Sequence, residues 1–506
     1  MSARDWLAPL YDAEKMRAID SWAIQNRGVP SLELMEHAGE GLAGMASAMA
    51  PEGRIVVLAG KGNNGGDGVV AARLLAADGR DVDVLLAGGP TEFSGDAATM
   101  LERLGEVRPR EFGVAEDGGA IAEDATLVID ALLGTGASGA PRGAVAAAIE
   151  AILRSGVAVL AADVPSGVDA SSGETAGVAV VAAATATFHA AKPGLWIEPG
   201  RSCAGRVSVL DIGIPDGAPV AADIGLIRDE LLELIPRRGA HSTKFTSGRV
   251  LVAGGSLGLT GAPCLAALAA ARAGAGYVTV CVPASLTLVF ETRLLETMTI
   301  ALPDENGEHS AAGVAALAAA AGARGGALVL GPGLGRSEGA AAFARAALEA
   351  VSIPVVLDAD GLNAFAGNVE SLGGRAAILT PHEGELARLL GIESSEVAAS
   401  RLRCAREAAS RSGCVVVLKG DDTLVAAPDG RVAVSPGATP ALATAGTGDV
   451  LSGVLGALLA KALEPFPAAC AGVRVHALAG VHAAVRHGGE GVIASDVIDS
   501  LAAVRG

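Results

Sequence analysis

Positive charge is scarce in this chain. Among its 506 residues, 38 lysines and arginines face 56 aspartates and glutamates, a formal charge of −18. Such a field repels nucleic acid and anionic membrane surfaces, and neither is expected as a partner. Any phosphate ligand must be held by backbone amides, a few local cations or metal ions. The six cysteines include no CxxC pair and stand among apolar residues, so they read as small core residues in a reducing compartment rather than as metal ligands or disulfides. No apolar h-region precedes the charges of MSARDWLAPLYDAEKMR, so a cytoplasmic location is expected rather than a secreted one. Mean hydropathy is positive, and Val250 to Ala271 holds no charge. That stretch is broken by GGSLGLTGAP and reads as a strand, a glycine turn and a helix start, not a membrane span.

What is present is an alternation. From Arg54, short β-branched runs (IVVLAG, DVDVLLAGG, TLVIDALL, VAVLAADV) alternate with Ala/Leu-rich helical stretches, which implies βαβ units and a parallel sheet covered on both faces. The alternation restarts at RVLVAGG and runs through YVTVCVP, ALVLGPGLG, PVVLDADGLN, AAILTPHEGE and CVVVLKGDD, ending with a hairpin-like TLVAAPDGRVAVSP and a last glycine loop. The chain is too long for one compact core. We expect an α/β protein of two domains, residues 1–220 and 241–506, joined by a linker at 221–240.

Two glycine loops each follow a β-like run and open a helix-like one, so each should aim free N–H groups at negative charge. The first, GKGNNGGDG, spans Gly60 to Gly68. Gly60, Gly62 and Gly65 fit GxGxxG, but a dinucleotide dehydrogenase also needs an acid near the end of the second strand. That strand ends LLAGG, and the nearby Asp81 and Asp83 lie before or within it, which counts against an ordinary Rossmann dehydrogenase. Asn63, Asn64 and Asp67 add amide oxygens and a carboxylate that a plain phosphate loop does not need. With Asp130 and Ser166 at the ends of other strands, Asn64 could coordinate a hard cation. Asp163, after VAVLAA, could be a general base. Both acids could equally be turn caps or hydrogen-bond acceptors.

The second loop, GTGD, spans Gly446 to Asp449. The amides of Ala445 to Gly448 would face a phosphate, and Asp449 could take a proton from an attacking hydroxyl or merely cap the helix. KGDDT, His382 in TPHEGE and Gly333 in GPGLG end other strands of the same half. His382 is expected as a substrate contact only.

Assembled, these segments resemble the bifunctional NAD(P)H-hydrate repair enzymes over nearly the whole chain. MRAIDSWAI, SLELMEHAG, GKGNNGGDG, VIDALLGTGASG, DVPSGVDA and DIGIP resemble the epimerase domain of the YjeF N-terminal family. VAGGSLGLTGA, GPGLG, LDADGLN, TPHEGE, KGDDT and GTGD resemble the ADP-dependent hydrate dehydratases of the ribokinase-like fold. The resemblance implies a Rossmann-like three-layer αβα sandwich followed by a ribokinase-like α/β domain. Two segments depart from the family pattern: LMEHAG, with His37 in place of Asn, and HSTKFTSG in place of a His-Lys-Gly segment.

The resemblance also implies residue roles. In the first domain Asn63, Asn64, Gly65, Gly66 and Asp67, with Gly134, Thr135, Gly136, Ala137, Ser138, Gly139 and Ala140, would hold the hydrated cofactor. Asp163 would contact the reactive ring, and Asn64, Asp130 and Ser166 would bind K⁺. In the second, Ala262, Gly333, His382 and Asp449 would contact the hydrate. Lys419, Gly420, Asp421, Asp422, Thr423 and Gly448 would hold ADP, with Mg²⁺. The substrates would be NADH hydrate and NADPH hydrate: the first domain would interconvert R and S epimers, and the second would dehydrate the S form with ADP, releasing AMP and phosphate. Ala-rich helices make a homo-oligomer the expected assembly. The competing reading is a small-molecule kinase of the ribokinase-like group with a non-catalytic nucleotide-binding domain.

Overall fold

The computed structural model describes residues 6–113, 121 and 125–504. The reading of the first five residues therefore lies outside the described part. Contacts divide the chain into two units, Pro9–Ile224 and residues 6–8 with 225–504. The segment expected as a linker belongs with the second unit from Gly225 onward: it carries the strand Ile224–Ile227 and the 3₁₀ turn Asp229–Leu234, and Ile227 and Leu231 enter that unit's core.

In the first unit a seven-stranded sheet runs in the order Arg110–Glu111, Val82–Leu86, Arg54–Ala59, Ala125–Ala131, Val159–Ala162, Ala184–Phe188 and Arg206–Leu210. Every neighbouring pair is parallel. Successive side chains of a strand point to opposite faces. Ile55, Val57 and Ala59 accordingly enter one buried cluster with helices Ala13–Arg27, Ser31–Met49 and Asn63–Ala77. Val56 and Leu58 enter another with helix Gly143–Ser155. The run IVVLA is thus apolar at every position because both faces are covered, each fully buried Ile, Val or Leu contributing about 1.5–3 kcal/mol. Strand order reverses between Arg54–Ala59 and Ala125–Ala131, which opens a crevice at their carboxyl ends.

The second unit is built on an eleven-stranded sheet in the order Leu7–Leu10, Ile224–Ile227, Val432–Val434, Leu424–Ala426, Val415–Leu418, Ile378–Leu379, Val355–Leu357, Ala327–Leu330, Arg249–Ala253, Tyr277–Pro283 and Met298–Leu302. From Val415–Leu418 to Met298–Leu302 it is parallel, and the expected hairpin at 424–434 joins it antiparallel. Here too the order reverses, between Arg249–Ala253 and Ala327–Leu330. The charge-free stretch at 250–271 is the strand, turn and helix its sequence implies. Among the described residues one helix, Pro465–His487, is long and apolar enough to cross a membrane, and 61% of its apolar window is buried in this unit.

Candidate active sites

Each crevice receives an uncapped helix N-terminus. Helix Asn63–Ala77 begins at Gly62 and helix Thr447–Ala460 at Gly446, and at neither does a side chain take up the first N–H groups. Those donors remain for an anion. The N-cap of the second helix is Gly446, at φ +91°, so Asp449 does not cap it.

In the first unit the loops after the central strands surround a cavity of about 950 Å³. Asn63, Asn64, Asp67, Gly134, Thr135, Gly136, Ala137 and Asp163 line it, together with Asp20 and Lys192. Other members of the expected set lie elsewhere. A methyl group on Gly65 would stand 1.6 Å from the Gly60 carbonyl oxygen, and one on Gly66 2.6 Å from the Met35 sulfur. Gly65 lets the helix close on the end of its strand and Gly66 lets it pack on helix Ser31–Met49, and neither lines the cavity. Ser138 and Gly139 line a separate cavity of about 140 Å³. Ala140 packs against Gly177, 3.3 Å from where a side chain there would begin.

Asp163 follows strand Val159–Ala162 at φ +64°, a left-handed conformation that a non-glycine residue adopts only when its surroundings enforce it. They do so through its carboxylate. Oδ1 accepts hydrogen bonds from Lys192 Nζ at 2.6 Å, Phe188 N at 3.2 Å and Thr187 Oγ1 at 3.3 Å, and Oδ2 accepts from Thr135 N at 3.3 Å and from Thr135 Oγ1. Burial raises the pKa of Asp163, but the Lys192 charge and these donors outweigh it and hold the group below its ordinary value. Lys192 is itself 1% exposed and gives its other protons to Thr187 Oγ1 and the Phe188 carbonyl. No motif had singled Lys192 out; a lysine in the otherwise apolar and small run FHAAKPGL was the available signal.

Asn64, Asp130 and Ser166 do come together. Asn64 Nδ2 donates to the Leu133 carbonyl at 2.9 Å, and its Oδ1 is buried without a partner. Ser166 donates to Asp130 from Oγ at 2.6 Å and from N at 2.8 Å, while its Oγ accepts from Leu133 N at 2.9 Å. An orphaned amide oxygen beside a buried carboxylate, a hydroxyl and a carbonyl is an all-oxygen donor set that suits a hard cation such as K⁺. Among the described residues no group of three or more His, Cys, Asp or Glu side chains forms a metal site.

In the second unit, Ala262 and Gly333 meet at the reversal point: a methyl group on Gly333, which is at φ +64°, would stand 3.4 Å from Ala262 Cβ. His382 caps helix Glu383–Leu390, its Nδ1 accepting from Gly384 N at 3.0 Å and Glu385 N at 3.4 Å while Glu385 Oε2 accepts from His382 N at 2.9 Å. With Nδ1 accepting and burial lowering its pKa, the ring is neutral and offers only Nε2–H to a ligand. At the end of strand Val415–Leu418, Lys419 Nζ lies 3.1 Å from Asp358 Oδ1 and 3.5 Å from Glu385 Oε2. Asp358 also accepts from Thr380 Oγ1 at 2.7 Å and Ser452 Oγ at 2.6 Å. Asp422 is turned inward, paired with the buried Arg401 at 2.8 and 2.9 Å, and Arg401 also donates to the Lys419 carbonyl at 3.2 Å. Gly420 and Thr423 close the turn through Thr423 Oγ1, which donates to the Gly420 carbonyl at 2.6 Å. Asp421 sits at the same turn, with Ala438 N directed at its Oδ1 at 3.5 Å.

Asp449 has no hydrogen-bond partner among the described residues. Burial, then the charge of Asp358, pushes it up to about 7 against the pull of Lys419, with Glu385 and Asp360 adding to the rise. A carboxyl poised there can take a proton near neutrality. Neither departure from the family pattern reaches these groups: His37 Nδ1 donates to the Ile212 carbonyl at 3.0 Å, and the Lys244 ammonium sits over Phe245 and Tyr277.

Residues 250–502 match the NAD(P)H-hydrate dehydratase family, and residues 31–194 match the YjeF-related protein N-terminus family. A bifunctional NAD(P)H-hydrate repair enzyme from Salinibacter ruber is 39% identical, covering 97% of this chain and 95% of its own. One from Moorella thermoacetica is 38% identical over 97% and 96%. A solved ADP/ATP-dependent NAD(P)H-hydrate dehydratase from Bacillus subtilis, co-crystallised with ATP and Mg²⁺, is 29% identical over 55% of this chain and 95% of its own, with a TM-score of 0.46.

Proposed function

The chain belongs to the family of bifunctional NAD(P)H-hydrate repair enzymes, and on that premise we propose that its first unit interconverts the R and S hydrates of NADH and NADPH while its second dehydrates the S form with ADP. Hydration at C6 of the dihydronicotinamide ring destroys the hydride donor, and hydroxide is a poor leaving group. In the second unit Asp449 takes the C6 hydroxyl proton as that oxygen attacks the terminal phosphorus of ADP; the new O–P bond forms and AMP leaves. The amides at Gly446–Gly448 and the Lys419 ammonium stabilise the transferring phosphoryl group. The C6–O bond then breaks, phosphate departs, and loss of a C5 proton restores the C5–C6 double bond of NAD(P)H. Mg²⁺, when bound with the nucleotide, neutralises phosphate charge. A base fixed on one side of the site can reach only one epimer's hydroxyl, so the first unit is needed for the other.

Asn64, Asp130, Ser166 and the Leu133 carbonyl would hold K⁺ in the first unit, where its charge would offset the buried Asp130 carboxylate. The backbone of Lys419–Thr423 holds the adenine nucleotide. Six free cysteines accord with a cytoplasmic setting.

The observation that carries this reading is Asp449, an unpaired carboxyl poised near neutrality at an open helix end. Recovery of dihydronicotinamide absorbance from a mixed-epimer NADH hydrate preparation, with ADP, Mg²⁺ and K⁺, tests it. Full recovery is expected. No ADP-dependent recovery, with stable phosphorylation of a small alcohol by ATP instead, would return the second unit to the small-molecule kinases.

A further inference from the structure

Interconversion of the two hydrates requires a group that gives a proton to the C6 hydroxyl and takes one back. Asp163 is ill suited to this. Both its oxygens are occupied by donors and its charge is matched by Lys192, so it behaves as a fixed anion.

Two other carboxyls open on the same cavity and are not so held. Asp20 belongs to helix Ala13–Arg27, whose start is fixed by Asp12 accepting from Lys15 N at 2.8 Å. Met16, Asp20 and Ile24 stand one turn apart on one face, and all three line the cavity. The Asp20 carboxyl therefore emerges between two apolar side chains. Asp67 lies on a different wall, in helix Asn63–Ala77. Neither carboxyl has a hydrogen-bond partner among the described residues.

The charged groups that shift Asp20 and Asp67 are Asp163, Lys192 and, for Asp67, Asp20 itself; Arg17, Lys61, Glu92, Asp96 and Arg142 also line the cavity. Burial pushes Asp20 up to about 6, with Lys192 opposing and Asp163 reinforcing the rise. Burial, then Asp163 and Asp20, raise Asp67 in the same way. Burial and the neighbouring carboxylates, opposed by Lys192, favour the protonated form of both Asp20 and Asp67.

We propose that Asp20 is the acid–base residue of the epimerisation, with Asp67 as the carboxyl that shares its proton. This rests on the epimerase reading of the first unit. Protonated Asp20 gives its proton to the C6 hydroxyl oxygen, the C6–O bond breaks with its electron pair leaving on water, and the N1 lone pair forms an N1–C6 double bond. Water then adds to the opposite face of C6. The π pair returns to N1, and the surplus proton passes to Asp67, from which the reverse inversion starts. Asp163 and the newly ionised Asp20 stabilise the cationic ring between the two steps.

The test uses the full chain without ADP, following interconversion of separated R and S NADH hydrates by chromatography. Asp20→Asn should lower the rate by about 10²–10⁴-fold, Asp20→Glu should restore part of it, and ADP-dependent dehydration of the S hydrate should stay at the wild-type rate. The wild-type rate should fall as pH rises past the Asp20–Asp67 titration, and that limb should vanish in Asp20→Asn. In heavy-oxygen water each inversion should place the label at C6. Inversion by Asp20→Asn within threefold of wild type, a lowered rate with the alkaline limb unmoved, or inversion without label would each overturn the proposal. A wild-type chain that dehydrates the S hydrate but never inverts the R form would overturn the epimerase reading and this inference together.

Discussion

The Lys419 ammonium lies directly before Gly448: a side chain begun on that glycine would stand 3.5 Å from Lys419 Nζ. The lysine of one strand end thus supplies the cation for the open helix end of another, where backbone amides alone would face the phosphate. Lys419→Met should lower ADP-dependent dehydration by about 10²–10³-fold, the loss expected when one transition-state donor is removed. Because Lys419 holds the Asp449 pKa down, the variant's residual pH profile should also shift to higher pH. A profile that stays in place would show that the lysine is remote from the base.

Asp449 should set the pH dependence of the second activity. Its ionised form is the base, so dehydration should rise with pH through about 7 and level off above it. Asp449→Asn should reduce the rate by about 10²–10⁴-fold and leave epimerisation untouched.

The same residue predicts a trade of stability for activity. A carboxyl whose folded pKa of about 7 exceeds the ordinary aspartate value of 3.8 binds more protons folded than unfolded between those values. Stability should therefore fall as pH rises through that window. Asp449→Asn removes this liability, so at alkaline pH the second unit should gain on the order of 1–4 kcal/mol relative to wild type. Urea titrations at acid and alkaline pH would check it; an equal gain at both would assign the effect to packing.

Arg401 ties Asp422 and the Lys419 carbonyl into the nucleotide turn from beneath. Arg401→Met removes the guanidinium paired with the buried Asp422 and should cost about 3–5 kcal/mol. Where the variant is still folded, the KM for ADP should rise more than kcat falls. Denaturant melts and ADP titrations would separate the two effects.

Potassium should stabilise the first unit by mass action, RT ln(1 + [K⁺]/Kd). Replacing K⁺ with a bulky organic cation should lower Tm and slow epimerisation. Asn64→Leu, which removes the orphaned Oδ1, should melt at the same temperature in either salt.

Much of this was legible in the sequence because strand ends announce themselves. IVVLAG, VIDALL and VAVLAAD each stop at the carboxyl edge where ligands gather, and the loops that follow supply one part of the cavity wall, the N-terminal helices another. What the sequence could not separate is glycine that faces a ligand from glycine that faces a backbone. Gly65 and Gly66 stand in the same motif as Asn64 and Asp67, yet their hydrogens are turned to Gly60 and Met35. The side chain of Asp422 shows a related limit: an acid in a loop looks available until its partner, here Arg401 on helix Arg401–Ser412, is brought to it by the fold. Asp20 and Lys192 were silent because their meaning lies in each other and in Asp163, and only tertiary structure makes them neighbours.

The strand Leu7–Leu10 has its own consequence. It lies beside Ile224–Ile227 in the second unit's sheet, with Arg228 N donating to the Trp6 carbonyl at 2.9 Å, although Pro9–Ile224 intervene in the chain. The first unit is therefore an insertion whose two ends emerge from adjacent strands, within the spacing of one sheet ladder. During synthesis the strand Leu7–Leu10 must wait for the whole first unit to be made before its partner Ile224–Ile227 exists. A dehydratase cut to begin at residue 225 would bare a sheet edge and lose the ring of Trp6 from beside Phe466, inviting association. One that keeps residues 6–8 through a short bridge to 225 would retain both.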